Sequence, residues 1–368
     1  MIKFVRNTLI ILLITIAYGL VMLHYGQKKF YEWDNEKQLN YLNKEPANYN
    51  IFSVHPDSIV APIKSKKLNG MLPTQGWSEK YIDPANKKVI YDVHMSTSQI
   101  GARINHSLES NGSKHFIVAG DSQVFGMGVD DDKVLTNLLN YQFSNLNFYN
   151  MGHAAWSASS TYLFFDPKVG VKIKNFIPEP QGIMIYIMYP YLTYRDNAYP
   201  NALSFTNGLL TNYEKVGDDL ILKGTFKQTN SFWLNIKKMA TYYDKGAFVE
   251  DYLMPLRYMS DKNEMLRSSF NKTAFIISGM RYNYQNTYPD SLFYVLLCDP
   301  LKEDPQKLLL NELNTYELKV IDLTNEDVCR SLHPYYFVEH HLNNNGHSEM
   351  ARLIQEKLIE PNSPFLGL

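Results

Sequence analysis

The stretch that decides the fold is Phe116-Ile117-Val118-Ala119-Gly120-Asp121-Ser122-Gln123-Val124-Phe125-Gly126-Met127-Gly128-Val129. Phe116 to Ala119 is a short, continuously apolar run closed by Gly120, the pattern of a buried strand. Ser122 then stands just past the carboxyl end of that strand, where doubly wound sheets bind their ligands. Gly120 permits a tight turn, and a helix opening there would present unsatisfied N–H groups to an anion. The alternative is that Asp121 or Ser122 only caps the helix. The stretch is not the Gly-x-Ser-x-Gly elbow of the α/β-hydrolases, because position 124 is Val.

Outward from this stretch the chain alternates. Lys133 to Phe143 sets Val134, Leu135, Leu138 and Leu139 at helical spacing, and Leu146 to Asn150 is a strand closed by Gly152. Gly182 to Tyr189 and Leu292 to Leu297 are further apolar strands, the latter closed by Asp299-Pro300. A helix follows near Pro305 to Leu313, then a strand at Leu318 to Asp322. A last helix, His347 to Leu358, aligns Met350, Leu353, Ile354 and Leu358 on one face. Short, uniformly apolar strands separated by helices predict a parallel sheet covered on both sides, an α/β doubly wound fold. Between Tyr194 and Asp290 the alternation breaks. Asn207-Gly208 and Gly217-Asp218 signal a hairpin region, Phe232 to Phe275 reads as helical and aromatic, and residues 198–290 are expected to form an insertion at the rim of a site.

The N-terminus carries an address. Lys3 and Arg6 precede Thr8 to Gly26, 19 residues without a charge. At about 1.5 Å per residue such a run nearly matches a hydrocarbon core of about 30 Å. Ala17-Tyr18-Gly19 offers a cleavage site, but apolar residues continue to Leu23, which favours a retained anchor over a cleaved signal peptide. The expected organisation is an anchor at residues 1–29, a stalk and irregular first layer at 30–89, and an α/β domain at 90–361, with the bulk of the chain beyond the cytoplasmic membrane. The 36 Lys+Arg and 37 Asp+Glu leave a net charge of −1 with no basic block, which argues against nucleic acid as a partner. Cys298 and Cys329 are too few for a thiolate zinc site; they either form one bridge in an oxidising compartment or are buried thiols.

A second chemical cluster lies near the C-terminus: Glu339-His340-His341-Leu342-Asn343, then Gly346-His347. In an extended or turning backbone a carboxylate two residues before a histidine can orient its ring, and the Asn/Gly run 343–346 makes a loop there. The competing reading is a helix-capping loop with incidental histidines. Glu339, His341 and His347 match no closed zinc spacing, so no metal is expected. His115, His153 and His333 read as structural, with reach to a site the alternative for His153, which directly follows Gly152.

Gly120-Asp121-Ser122 with Gly126 and Gly128 resembles the first block of the SGNH (GDSL) hydrolase superfamily. Asn150-Met151-Gly152 resembles its second block, Glu339 to Asn343 with Gly346-His347 its last, and Tyr91 to Arg103 the segment before block one in membrane-anchored, envelope-facing members. The resemblance implies a flavodoxin-like three-layer α/β/α sandwich without a cofactor, with Ser122 as nucleophile, His341 as base and Glu339 as the acid that holds the imidazole. It further implies an oxyanion hole made by the N–H groups of Ser122 and Gly152. Two departures stand out: Glu339 replaces the usual aspartate, and no Asn ends the third strand. Tyr189, Tyr191 or Asn197 are the substitutes on offer there, with Asp121 and His153 as further site-lining residues. The expected activity is removal of acyl, above all acetyl, groups from an envelope glycan or related small ester. The alternatives are an O-acyltransferase using the same Ser-His pair and a degenerate glycan-binding module.

Overall fold

A computed structural model describes residues 77–83, 87–97, 103–104, 112–143, 145–153, 156–167, 173–197, 211–225, 262–299, 301, 303–330, 334–337 and 341–359. The anchor at residues 1–29, Glu339, His340 and His333 lie outside them. Among the described residues no helix is long and apolar enough to cross a membrane.

In chain order the elements are β1 (Trp77–Ile82), β2 (Val89–Met95), β3 (Lys114–Gly120), α1 (Ser122–Phe125), α2 (Leu135–Gln142), β4 (Leu146–Gly152), α3 (Ala158–Tyr162), β5 (Gly182–Met188) and α4 (Leu192–Asp196). There follow β6 (Thr211–Val216), β7 (Asp219–Thr225), α5 (Lys262–Thr287), β8 (Leu292–Leu297), α6 (Glu303–Thr315), β9 (Val320–Asp322) and α7 (Asn344–Ile354).

Five parallel strands form the central sheet in the order β4-β3-β5-β8-β9. All seven residues of β5 (GIMIYIM) are buried, as a central strand between two neighbours requires. The step from β3 to β4 runs one way along the sheet and every later step runs the other way. Since right-handed crossovers are the rule, that reversal sends α2 to one face and α3, α5 and α6 to the other. Accordingly α2 packs with α7, while α5 packs with α3, α4 and α6. The strand order is the flavodoxin-like one, and the reversal leaves a crevice at the carboxyl ends of β3 and β5.

Two regions differ from expectation. Residues 77–95, split between the stalk and the α/β domain, form one antiparallel hairpin, β1 with β2. Tyr91, Val93 and Met95 alternate inward and pack on Phe125, Met127 and Phe337 as a small second core. The segment expected to form a rim insertion up to residue 290 includes a core helix. Helix α5 is the crossover between β5 and β8, and Phe270, Ala274, Ile277, Met280 and Tyr284 lay a helical stripe into the main core. The hairpin β6–β7 turns at Gly217-Asp218, while Asn207-Gly208 lies outside the described residues. Cys298, after β8, and Cys329 form a disulfide with Cα atoms 4.7 Å apart.

Candidate active site

Ser122 opens α1, a four-residue helix directly after β3. So short a helix needs its ends satisfied. Asp121 is the N-cap and accepts from the Gln123 N–H at 3.1 Å. Gly126 closes the helix at φ +81, a left-handed conformation that glycine adopts without strain. The buried Arg103 then covers the carbonyl end. Its guanidinium donates to the carbonyls of Phe125 (3.1 Å), Gly126 (2.9 Å) and Val129 (2.5 Å), and its Nε pairs with Asp131 at 2.7 Å.

His341 comes from the other end of the chain, 219 residues away, with its Nε2 3.0 Å from Ser122 Oγ. With the imidazole neutral and its proton on Nδ1, the hydroxyl donates and Nε2 accepts, the relation of a nucleophile to its base. Tyr336 pairs with Leu342, and Asn343 caps α7 by accepting from the N–H groups of Asn345 and Gly346 at 2.9 and 3.1 Å. The cap residue of the competing reading is therefore Asn343, while His341 turns to the serine.

Asp121 is fully buried, and its second oxygen accepts from the Tyr191 hydroxyl at 2.7 Å and from Arg195 at 3.2 Å. Burial raises the Tyr191 hydroxyl well above the ordinary tyrosine range, with the Asp121 charge adding to it. The turn that carries Ser122 and α4 are thus joined by a buried, charge-assisted network.

The chain is similar to solved G-D-S-L proteins. One is a member of the lipolytic G-D-S-L family from Veillonella parvula, 14% identical, covering 66% of this chain and 97% of its own, with a TM-score of 0.34. An acetyl xylan esterase from Butyrivibrio proteoclasticus is 9% identical, covering 67% of this chain and 64% of its own, with a TM-score of 0.34. An acetylxylan esterase from Geobacillus stearothermophilus, solved as a catalytic mutant, is 10% identical, covering 67% and 95%, with a TM-score of 0.33. No family model matches the chain, and no curated protein matches it.

The remaining expected site residues sit elsewhere in the hydrogen-bond pattern. The Gly152 N–H donates to Asn150 Oδ1 at 2.9 Å. Gly152 backs onto α1, where a Cβ would collide with the Phe125 nitrogen. The Tyr191 hydroxyl is committed to Asp121. Tyr189 is buried and stacked on Tyr191, its hydroxyl beside that of Tyr336. Asn197 donates to the carbonyls of Thr193 and Ser269, tying α4 to α5. His153 is buried, lies flat on Trp156 with ring centroids 3.8 Å apart, and has Nδ1 3.3 Å from the Met151 carbonyl. His115 bonds the Glu179 carbonyl and the Tyr284 hydroxyl far from the serine. His347 is buried beneath the site, its Nδ1 accepting from the Leu135 N–H at 3.2 Å.

Gln123 and Arg103 carry structural weight that the sequence alone did not reveal. Gln123 Oε1 accepts from the Leu342 N–H at 2.9 Å, so the residue next to Ser122 grips the residue next to His341. Its sole sequence signal is a polar side chain placed between Ser122 and Val124 at a buried helix start.

Proposed function

We propose that this chain is a serine esterase of the SGNH type that removes acyl groups, above all acetyl, from an envelope glycan or a related small ester outside the cytoplasm. The observation that carries the proposal is the 3.0 Å contact of Ser122 Oγ with His341 Nε2 at the carboxyl end of a parallel sheet. Ser122 Oγ attacks the ester carbonyl while His341 Nε2 takes its proton. The tetrahedral oxyanion faces the Ser122 N–H, which as the first amide of α1 has no intrahelical partner. Collapse breaks the carbonyl–alkoxy bond, and the imidazolium returns its proton to the leaving alcohol. Water then attacks the acyl-serine, giving its proton to His341, and the acid leaves as Ser122 regains its hydrogen. Glu339, two residues before His341, is the proposed acid that holds the imidazole. An extracytoplasmic location is supported by the uncharged run Thr8 to Gly26 and by the Cys298–Cys329 disulfide, since such bridges persist in oxidising compartments.

The test is covalent labelling. A fluorophosphonate probe is expected to modify Ser122 and to leave Ser122→Ala unlabelled. Ser122→Ala and His341→Ala should lower p-nitrophenyl acetate turnover about equally, with the double variant no worse, because residues acting as a unit lose activity non-additively. Folded wild-type protein that resists the probe refutes the proposal.

A further inference from the structure

Beyond the Ser-His pair, and resting on the esterase proposal above, we infer that Gln123 is a positioning residue that holds the His341 imidazole on Ser122. One peptide unit, that between His341 and Leu342, is gripped at both edges. Its carbonyl accepts from the Phe337 N–H at 2.8 Å, and its N–H donates to Gln123 Oε1 at 2.9 Å. A peptide unit is a rigid plane. Holding both edges therefore fixes the rotation about the His341 Cα–C bond, and with it the direction in which the imidazole leaves the backbone.

Gln123 is suited to be the fixed jaw. Its own N–H is bound to Asp121 Oδ1, its backbone belongs to the first turn of α1, and its side chain is buried. Because Gln123 follows Ser122 directly, the distance from its amide oxygen to the nucleophile is set within one turn of helix and not by loop packing. Two bonds between adjacent residue pairs, Ser122 with His341 and Gln123 with Leu342, make base and nucleophile move as one body. The other jaw, Phe337, is seated by its ring against Tyr91 of β2, at a centroid distance of 5.2 Å. Gln123 does not touch the reacting atoms; it acts through His341.

Replacing Gln123 with Leu removes the acceptor and leaves the Leu342 N–H buried without it. Misplacement of a catalytic group by about 1 Å costs on the order of 100-fold in rate. Gln123→Leu is therefore expected to lower kcat on p-nitrophenyl acetate by about 10- to 100-fold with little change in KM, and to slow fluorophosphonate labelling in parallel. Gln123→Glu keeps an acceptor oxygen and should retain most of kcat. Its carboxylate stabilises the imidazolium, so the acid limb of the pH–rate profile should move to higher pH. In a His341→Ala background Gln123→Leu should have no further effect on the residual rate, which a merely structural role does not predict.

Wild-type kcat in folded Gln123→Leu overturns the inference, as does an equal loss in the His341→Ala background. Should the Leu variant not fold, native-state exchange of the Leu342 amide decides. Slow exchange in wild type and in Gln123→Glu supports the clamp, and rapid exchange in wild type overturns it. Failure of the esterase proposal is read separately, as an unlabelled wild type, and the Leu342 amide still reports on the clamp in that case.

Discussion

Lowering the pH from 7 to 5 should destabilise this fold through two buried histidines, and the size of the effect follows from their surroundings. His347 is pushed down to about 3, first by burial and then by the nearby charges of Arg103 and His341. His115 is pushed down to about 4 by burial, partly offset by its bond to the Glu179 carbonyl. In the unfolded chain both titrate near the ordinary histidine value of about 6.5. Below that value the unfolded state binds protons that the folded state refuses, so stability falls as pH falls from about 6.5 toward 3 for His347 and toward 4 for His115. At pH 5, roughly 1.5 pH units below the unfolded value, each histidine costs about 2 kcal/mol, making about 4 kcal/mol together. That is a large part of the roughly 5–15 kcal/mol by which domains are stable. Urea denaturation at pH 7, 6 and 5 and constant ionic strength measures it. His347→Asn supplies the control, since its amide oxygen can replace Nδ1 as acceptor from Leu135 without titrating, and should remove about half of the pH slope. Stability that is flat between pH 5 and 7, or a slope unchanged in His347→Asn, refutes the reasoning.

Arg103→Met should cost about 3 kcal/mol in urea denaturation, because it strips a buried guanidinium from Asp131 and from three carbonyls. The loss stays at the low end because Asp131 keeps the Ser96 N–H at 3.1 Å; a loss under about 1 kcal/mol would show that the clamp is not needed. The proposed address predicts that a reporter fused after Leu368 is active only if it is of the kind that works once exported; signal from a cytoplasm-only reporter would sink the envelope assignment. In the same exported protein Cys298→Ala/Cys329→Ala should lose about 3–4 kcal/mol by the loop-closure relation for a separation of 31 residues, measured against wild type without reductant.

The sheet was legible because its strands are buried on both sides. Phe116–Ala119, Gly182–Tyr189 and Leu292–Leu297 are apolar at every position, and such runs have no other use at that length. The hairpin at 77–95 is hard to read although Tyr91, Val93 and Met95 alternate with Asp92 and His94, because the signal spans one strand and its partner Trp77–Ile82 sets Ser78, Glu79 and Lys80 in an unbroken polar row. Helix α5 was misplaced for a related reason: Asn, Ser, Thr and Tyr interrupt a stripe whose buried members are spaced at three and four residues. At the site, Ser122 and His341 could be singled out because their chemistry sits in short, unusual strings. The bond from the Gly152 N–H to an Asn side chain two residues earlier is a local contact that the sequence pattern does not record. The partners of Asp121 were unreadable: Tyr191 and Arg195 lie 70 and 74 residues downstream, and no periodicity records contacts at that range.

The turn that carries Ser122 shows why such distant residues bear on the proposed site without joining its chemistry. A helix of four residues spans a single turn, and nucleating one turn in isolation is unfavourable because several dihedrals are fixed for one hydrogen bond. Helix α1 exists because its termini are satisfied from outside. Asp121 caps its start, and Asp121 is in turn held by Tyr191 and Arg195 beyond β5. Arg103, beyond β2, takes the carbonyls at its end, and Gly126 turns the chain away at positive φ. Two separate segments, at Arg103 and at Tyr191 to Arg195, must therefore be in place before the one-turn helix that carries Ser122 is satisfied at both ends. The active geometry is a property of the completed fold, and damage at Arg103, Asp121 or Arg195 should reach Ser122 through the helix rather than through the substrate.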